Sequence, residues 1–129
     1  MKTKVLFSIM LIILMSCNKD NTNEQKTNNL IGTWNLVSFE PGFAQTENYN
    51  NGDVSWNFRT NNTVEVVINT SVSNILPLNT PGIYSYNLIS NDSVTIDNHS
   101  YKYELSNQSL RILDNPSADG YILIFEKIN

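Results

Sequence analysis

Few residues of this 129-residue chain could do chemistry: one histidine, one cysteine and twelve carboxylates. His99 stands between Asp97 and Ser100, the residue types of a hydrolytic triad. A serine nucleophile also needs a base held against it and donors for an oxyanion, and no glycine-rich elbow surrounds Ser100. Without a second histidine or a spare cysteine, a zinc site is not expected. The run Asp114-Asn115-Pro116-Ser117-Ala118-Asp119-Gly120 gathers oxygen donors but misses the EF-hand spacing, so it reads as a hairpin loop. The chain is therefore expected to be no enzyme, with no metal and no cofactor. Cys17 is the reactive group that remains.

Cys17 sits where an apolar run ends and a polar stretch begins. Before it lie Lys2 and Lys4, the apolar residues 5–15 and the small Ser16, the three parts of an export signal over residues 1–16. A transmembrane helix needs roughly 20 apolar residues, so this run is too short to span and reads as a cleaved segment. Leu14-Met15-Ser16-Cys17 resembles the bacterial lipobox. The resemblance implies acylation of Cys17, cleavage before it and anchoring of the mature protein by lipid. Two or more acyl chains hold firmly where one, at about 0.8 kcal/mol per buried CH₂, is marginal. Asn18 follows, where an aspartate would resemble an inner-membrane retention signal, so the outer membrane is implied. Lys19-Asp20 resembles the signals of surface-displayed lipoproteins in some Gram-negative groups.

Residues 17–29 form the lipidated cysteine and a linker. From 18 to 29 there is no apolar side chain, so the segment cannot bury enough surface to order itself. Twelve such residues reach roughly 40 Å when extended, enough to clear the lipid headgroups. Residues 30–129 have the length of one domain. That domain carries four bases, Arg59, Lys102, Arg111 and Lys127, against ten acids, a net charge of −6. Such a surface repels nucleic acid and anionic lipid, so neither is expected as a partner.

Period-two alternation runs through the domain, and no stretch of ten or more residues keeps a helical period. Eight strands are expected: 33–39, 54–59, 63–69, 83–89, 93–97, 100–105, 109–113 and 121–127. Val54, Trp56 and Phe58 oppose Ser55 and Asn57; Tyr101, Tyr103 and Leu105 oppose Lys102 and Glu104. Asn61-Asn62, Asn91-Asp92, Asn98-His99 and Asn107-Gln108 supply short turns between neighbours. Sequential hairpins make a meander, and eight antiparallel strands close into an up-and-down barrel because closure removes both exposed edges. The expected fold is thus all-β, an eight-stranded antiparallel up-and-down barrel with no substantial helix in the mature domain.

Leu30-Ile31-Gly32-Thr33-Trp34-Asn35-Leu36 resembles the opening of the lipocalin-like domains of small bacterial lipoproteins, where Gly-x-Trp, here Gly32 and Trp34, begins the first strand. Trp56-Asn57-Phe58, Gly82-Ile83-Tyr84 and the last strand fit the same cadence. Full-length lipocalins carry an arginine stacked on the tryptophan; Lys127 is the nearest cation here.

A barrel of eight strands either fills with its own side chains or holds one small ligand. The candidate inward rings are Trp34, Trp56, Phe58, Tyr84, Tyr86, Tyr101, Tyr103, Tyr121 and Phe125. Two long loops, 40–53 with Phe43 and Tyr49, and 70–82 with Val72, Ile75, Leu76 and Leu78, either cap the barrel end or form a mouth. The first functional expectation is a membrane-anchored barrel binding a small, mostly apolar molecule, with Phe43, Trp56, Phe58, Leu76, Tyr84, Tyr86 and Tyr103 as candidate contacts. The alternative is a side-chain-filled barrel acting as an envelope or surface interaction module. For the anchor, Cys17→Ala should move the protein from the membrane to the soluble fraction and abolish palmitate labelling; unchanged fractionation refutes it.

Overall fold

The computed structural model describes residues 29–115 and 117–129; the export signal, Cys17 and the linker to residue 28 lie outside them. Nine strands form one antiparallel sheet: β1 Gly32–Pro41, β2 Glu47–Asn48, β3 Val54–Phe58, β4 Thr63–Ile68, β5 Gly82–Ser90, β6 Ser93–Ile96, β7 His99–Leu105, β8 Ser109–Asp114 and β9 Tyr121–Lys127. Sequence neighbours pair from β3 through β9, and β1 pairs both with β3 and with β9, closing an eight-stranded barrel. The described residues contain no helix. The two-residue β2 is an addition to the eight strands expected from the sequence.

β1 holds the barrel closed. Its first half pairs with β3, Trp34 opposite Trp56, while it runs along β9 from Trp34 opposite Lys127 to Pro41 opposite Tyr121. A bulge between Leu36 and Ser38 inserts Val37, an extra residue that shifts the pleat by one. Trp34 and Leu36 therefore face inward before it, and Phe39 and Pro41 after it. Beyond the end of β3, the freed edge of β1 is covered by β2, with Ser38 opposite Asn48. That covering loop buries two polar side chains on the outer face, Asn35 and Ser38. Asn35 is satisfied there: its Oδ1 accepts from the Gly52 amide at 2.7 Å and its Nδ2 donates to the Leu36 carbonyl at 3.2 Å.

Side chains fill the interior. Trp56 and Phe125 pack with ring centroids 4.9 Å apart, Phe58 meets Tyr86 edge-on at 5.1 Å, and Trp34, Phe39, Trp56, Phe58 and Phe125 are each at most 1% exposed. Each such ring removes about 150–250 Å² from water, roughly 4–6 kcal/mol of gross stabilisation at about 25 cal/mol per Å². With an even number of strands both chain ends fall at one end of the barrel, the base, beside the connections 59–62, 91–92 and 106–108. The connections 42–53, 69–81, 97–98 and 115–120 form the opposite rim.

The turn between β6 and β7 differs from the Asn98-His99 expected. Ile96 pairs with His99, so the two turn residues are Asp97 and Asn98, with φ of 48° and 65°. Short Asp and Asn side chains tolerate left-handed backbone through local hydrogen bonds, and with Asp97 and Asn98 in the two turn positions His99 joins the strand. At the β8–β9 connection a Cβ on Gly120 would lie 1.6 Å from the Asp114 carbonyl, while one on Gly52, at φ +88°, meets nothing within 4 Å. Gly52→Ala should cost about 1–2 kcal/mol from left-handed strain alone. Gly120→Ala should cost more, because backbone must move; equal shifts in urea unfolding would refute the close approach.

Candidate functional site

The two barrel ends are built differently. At the base, Trp34 lies across the opening, its indole Nε1 donating to the Leu30 carbonyl at 2.8 Å. Lys127 Nζ stands 5.5 Å from the Trp34 ring centroid, a cation–π distance. The cation expected on the tryptophan is therefore Lys127, delivered by the Trp34–Lys127 pairing of β1 and β9. Strand side chains seal this end.

At the other end, one wall is polar. Strand parity that sends Tyr103 and Tyr101 inward carries His99 inward at the rim, and parity through Leu110 and Ile112 does the same for Asp114. His99 Nε2 is 3.2 Å from Asp114 Oδ2, and its ring lies 4.6 Å from that of Tyr101. The Tyr121 hydroxyl donates to the Tyr101 hydroxyl at 3.3 Å, and Tyr121 meets Phe39 edge-on at 5.7 Å. Burial pushes both phenols above their ordinary range. In Tyr121 donation to Tyr101 adds to it, and in Tyr101 the Asp114 and Asp97 carboxylates act in the same direction.

The facing wall comes from a loop. Leu76, 3% exposed, joins the barrel core from the 69–81 connection, with Val72, Leu78, Ile68 and Tyr84 packed around the same cluster. The Tyr84 hydroxyl donates to the Thr80 carbonyl at 2.6 Å, tying the loop to β5. Leu78 holds φ at 51°, a left-handed conformation that costs a leucine roughly 1–2 kcal/mol. The loop that covers this end thus carries its buried apolar residue, Leu76, two positions before the strained Leu78.

A lipocalin-like protein from Bacteroides uniformis ATCC 8492 superposes on the barrel with a TM-score of 0.54 at 18% identity, covering 77% of this chain and 98% of that one. The fold is lipocalin-like. An uncharacterized protein from Bacteroides eggerthii DSM 20697 matches with a TM-score of 0.55 at 12% identity, over 78% of this chain and 100% of that one. No protein-family model and no curated protein matches the sequence.

Within this lipocalin-like barrel the candidate contacts separate. Leu76 and Tyr84 lie at the mouth. Trp56, Phe58 and Tyr86 are packed below it, and the Tyr86 hydroxyl is engaged by the Arg59 carbonyl at 3.0 Å. Tyr103 is buried toward the base, its hydroxyl 3.4 Å from the Ser90 carbonyl. Phe43, 69% exposed, lies on the loop after β1 and is turned to solvent. His99 and Asp114 belong to the mouth although sequence reading placed them in a turn and a loop; extending the alternation of Tyr101 and Tyr103 back by two residues is the signal that finds His99. Ser100 faces the outer side, its Oγ 3.2 Å from Thr95 Oγ1, so it is turned away from His99.

Two recesses on the outer surface, about 460 Å³ by Asn35, Val37, Tyr49 and Lys127 and about 440 Å³ by Asp92, Lys102, Glu104 and Leu113, lie outside the sheet rather than in the mouth. At the second, Asp92 accepts from Ser90 Oγ at 2.6 Å, Lys102 Nζ at 2.9 Å and Ser93 Oγ at 3.1 Å. These bonds favour the carboxylate and hold it down to about 2, the Ser90 bond contributing most. A lowered folded value means its stabilising contribution is present above the unfolded value and is lost as pH falls through about 2. A carboxyl-carbon NMR titration should show an Asp92 midpoint near 2 that rises in Ser90→Ala; a midpoint in the ordinary carboxylate range refutes the network.

Proposed function

We propose that the protein is an outer-membrane lipoprotein, anchored through acylated Cys17, whose lipocalin-like barrel binds a small, mostly apolar molecule at its loop-bearing mouth. The observation that carries this is the difference in how the ends are closed. Strand rings and the Trp34–Lys127 contact seal the base, whereas Leu76 from a loop closes the mouth. A loop can lift without breaking the sheet's hydrogen bonds, and relief of the Leu78 backbone offsets part of the cost. Because the rings below leave the interior filled, the molecule takes the place of Leu76 and lies against Tyr84, Tyr101, Tyr121 and Phe39 instead of descending toward Trp56.

The topology suits a tethered receptor. Leu30 lies at the base, the end opposite the mouth, so an anchor upstream of it leaves the loops free to face away from the lipid. Surface display would present that mouth to the medium. The second reading, a packed barrel acting through its surface, is favoured by the filled interior and by the exposure of Phe43.

The full chain carrying Cys17→Ala, purified gently from its own cells, should carry a small apolar molecule detectable by native mass spectrometry. Leu76→Trp should displace it while the circular-dichroism spectrum stays unchanged. A chain that carries no small-molecule mass in either form sinks this reading in favour of the interaction module.

A further inference from the structure

We propose that Asn51 is a site of spontaneous covalent change, and that the buried side chain of Asn35 guards it while the barrel is folded. One hydrogen bond between the barrel wall and the loop that covers it carries this inference.

Asn51 is the only asparagine of the chain followed by glycine. No side chain on the next residue then hinders the approach of its backbone nitrogen to the asparagine amide carbon. Gly52 N bonds to Asn51 Cγ, the Cγ–Nδ2 bond breaks, and the side-chain amide leaves as ammonia carrying the Gly52 amide proton. A cyclic imide remains. Water opens it at either carbonyl, leaving an aspartate or an isoaspartyl linkage at position 51, and nothing is oxidised or reduced. Asn51 is exposed and borders the outer recess of about 460 Å³ shared with Asn35 and Tyr49, so water reaches it.

In the fold the nucleophile is occupied. The Gly52 N–H donates to Asn35 Oδ1 at 2.7 Å, and Asn35 is 7% exposed. Attack on Asn51 would withdraw that donor and leave a buried acceptor unsatisfied, since Asn35 Nδ2 is already committed to the Leu36 carbonyl. The turn adds a second restraint. The Asp53 N–H donates to the Asn50 carbonyl at 3.1 Å with Gly52 at φ +88°, the third position of a type II turn, which favours glycine. The Gly52 carbonyl accepts from Asn69 Nδ2 at 2.9 Å. Both polar groups of Gly52 are therefore held, one by β1 and the other by the residue after β4. An isoaspartyl linkage lengthens the backbone by a methylene at this point. It would draw Gly52 off Asn35 and slacken the cover that β2 and the Tyr49 N–H, bonded to the Val37 carbonyl at 2.9 Å, place on β1.

The test holds the full chain carrying Cys17→Ala at mildly alkaline pH, in buffer and in urea, and follows the peptide containing Asn51 by mass spectrometry and by enzymatic methylation of isoaspartate. The folded chain should convert at least about tenfold more slowly than the unfolded one. Asn35→Ala, shown by circular dichroism to be folded, should convert about tenfold faster than its parent, and Asn35→Asp, which keeps the acceptor, should stay near the parent rate. Ile112→Val weakens the core away from the turn and should leave the rate unchanged. A folded chain that converts as fast as in urea, or Asn35→Ala converting as slowly as its parent, overturns the guard. Equal acceleration in Asn35→Ala and Ile112→Val overturns it too, because global unfolding then sets the rate.

Discussion

Closure of β1 on β9 is the constraint on which the rest of the barrel depends. Without it, β1 and β9 would be open edges with unpaired amides and carbonyls, and the inward rings would face water on one side. β1 achieves closure by serving three partners along ten residues: β3 through its first half, β9 along most of its length, and β2 near its end. The Val37 bulge makes this compatible with a continuous core. A strand without the bulge would present Ser38 to the interior and Phe39 to solvent, because the side-chain period is two.

Once closed, the barrel has a narrow interior and a large aromatic load, and the two together decide where function can reside. Trp56, Phe58, Tyr86 and Phe125 occupy the middle in mutual contact, and Trp34 with Lys127 occupies the base. At the rim the core is completed by a loop side chain, Leu76, instead of a strand one. The same topology that puts both chain ends at the base puts both long loops at the opposite rim. The carboxylates gathered there stand away from the anionic surface that an anchored protein would face.

Much of the barrel is legible from alternation alone. Val54, Trp56 and Phe58, or Tyr101 and Tyr103, face one side in the sequence and are buried in the fold, and the Asn-rich turns lie within a residue of their expected places. What alternation misreads is local and has physical causes. Asp97 takes the left-handed position that allows His99 into β7. The segment after Pro41 contains a strand of only two residues, too short to show a period. Tyr84 shares the inward parity of Tyr86 yet stays half-buried, because β5 reaches the rim there and its hydroxyl turns to the loop carbonyl of Thr80. Phe43 is apolar and on a long loop, and nothing in its neighbours' identities distinguishes a loop residue that joins the core, such as Leu76, from one left in solvent.

The sequence by itself determined the secondary-structure class, the order of the hairpins and the Gly-x-Trp opening, since these follow from local period, turn chemistry and short-range composition. Only the tertiary structure decided that Lys127 reaches Trp34, that Leu76 is the residue in the mouth, and that His99, Tyr101, Asp114 and Tyr121 form one cluster. Those pairings join residues up to 93 positions apart, as Trp34 with Lys127. They arise from strand register and barrel closure, quantities set by the packing of the whole sheet and carried by no single segment of chain.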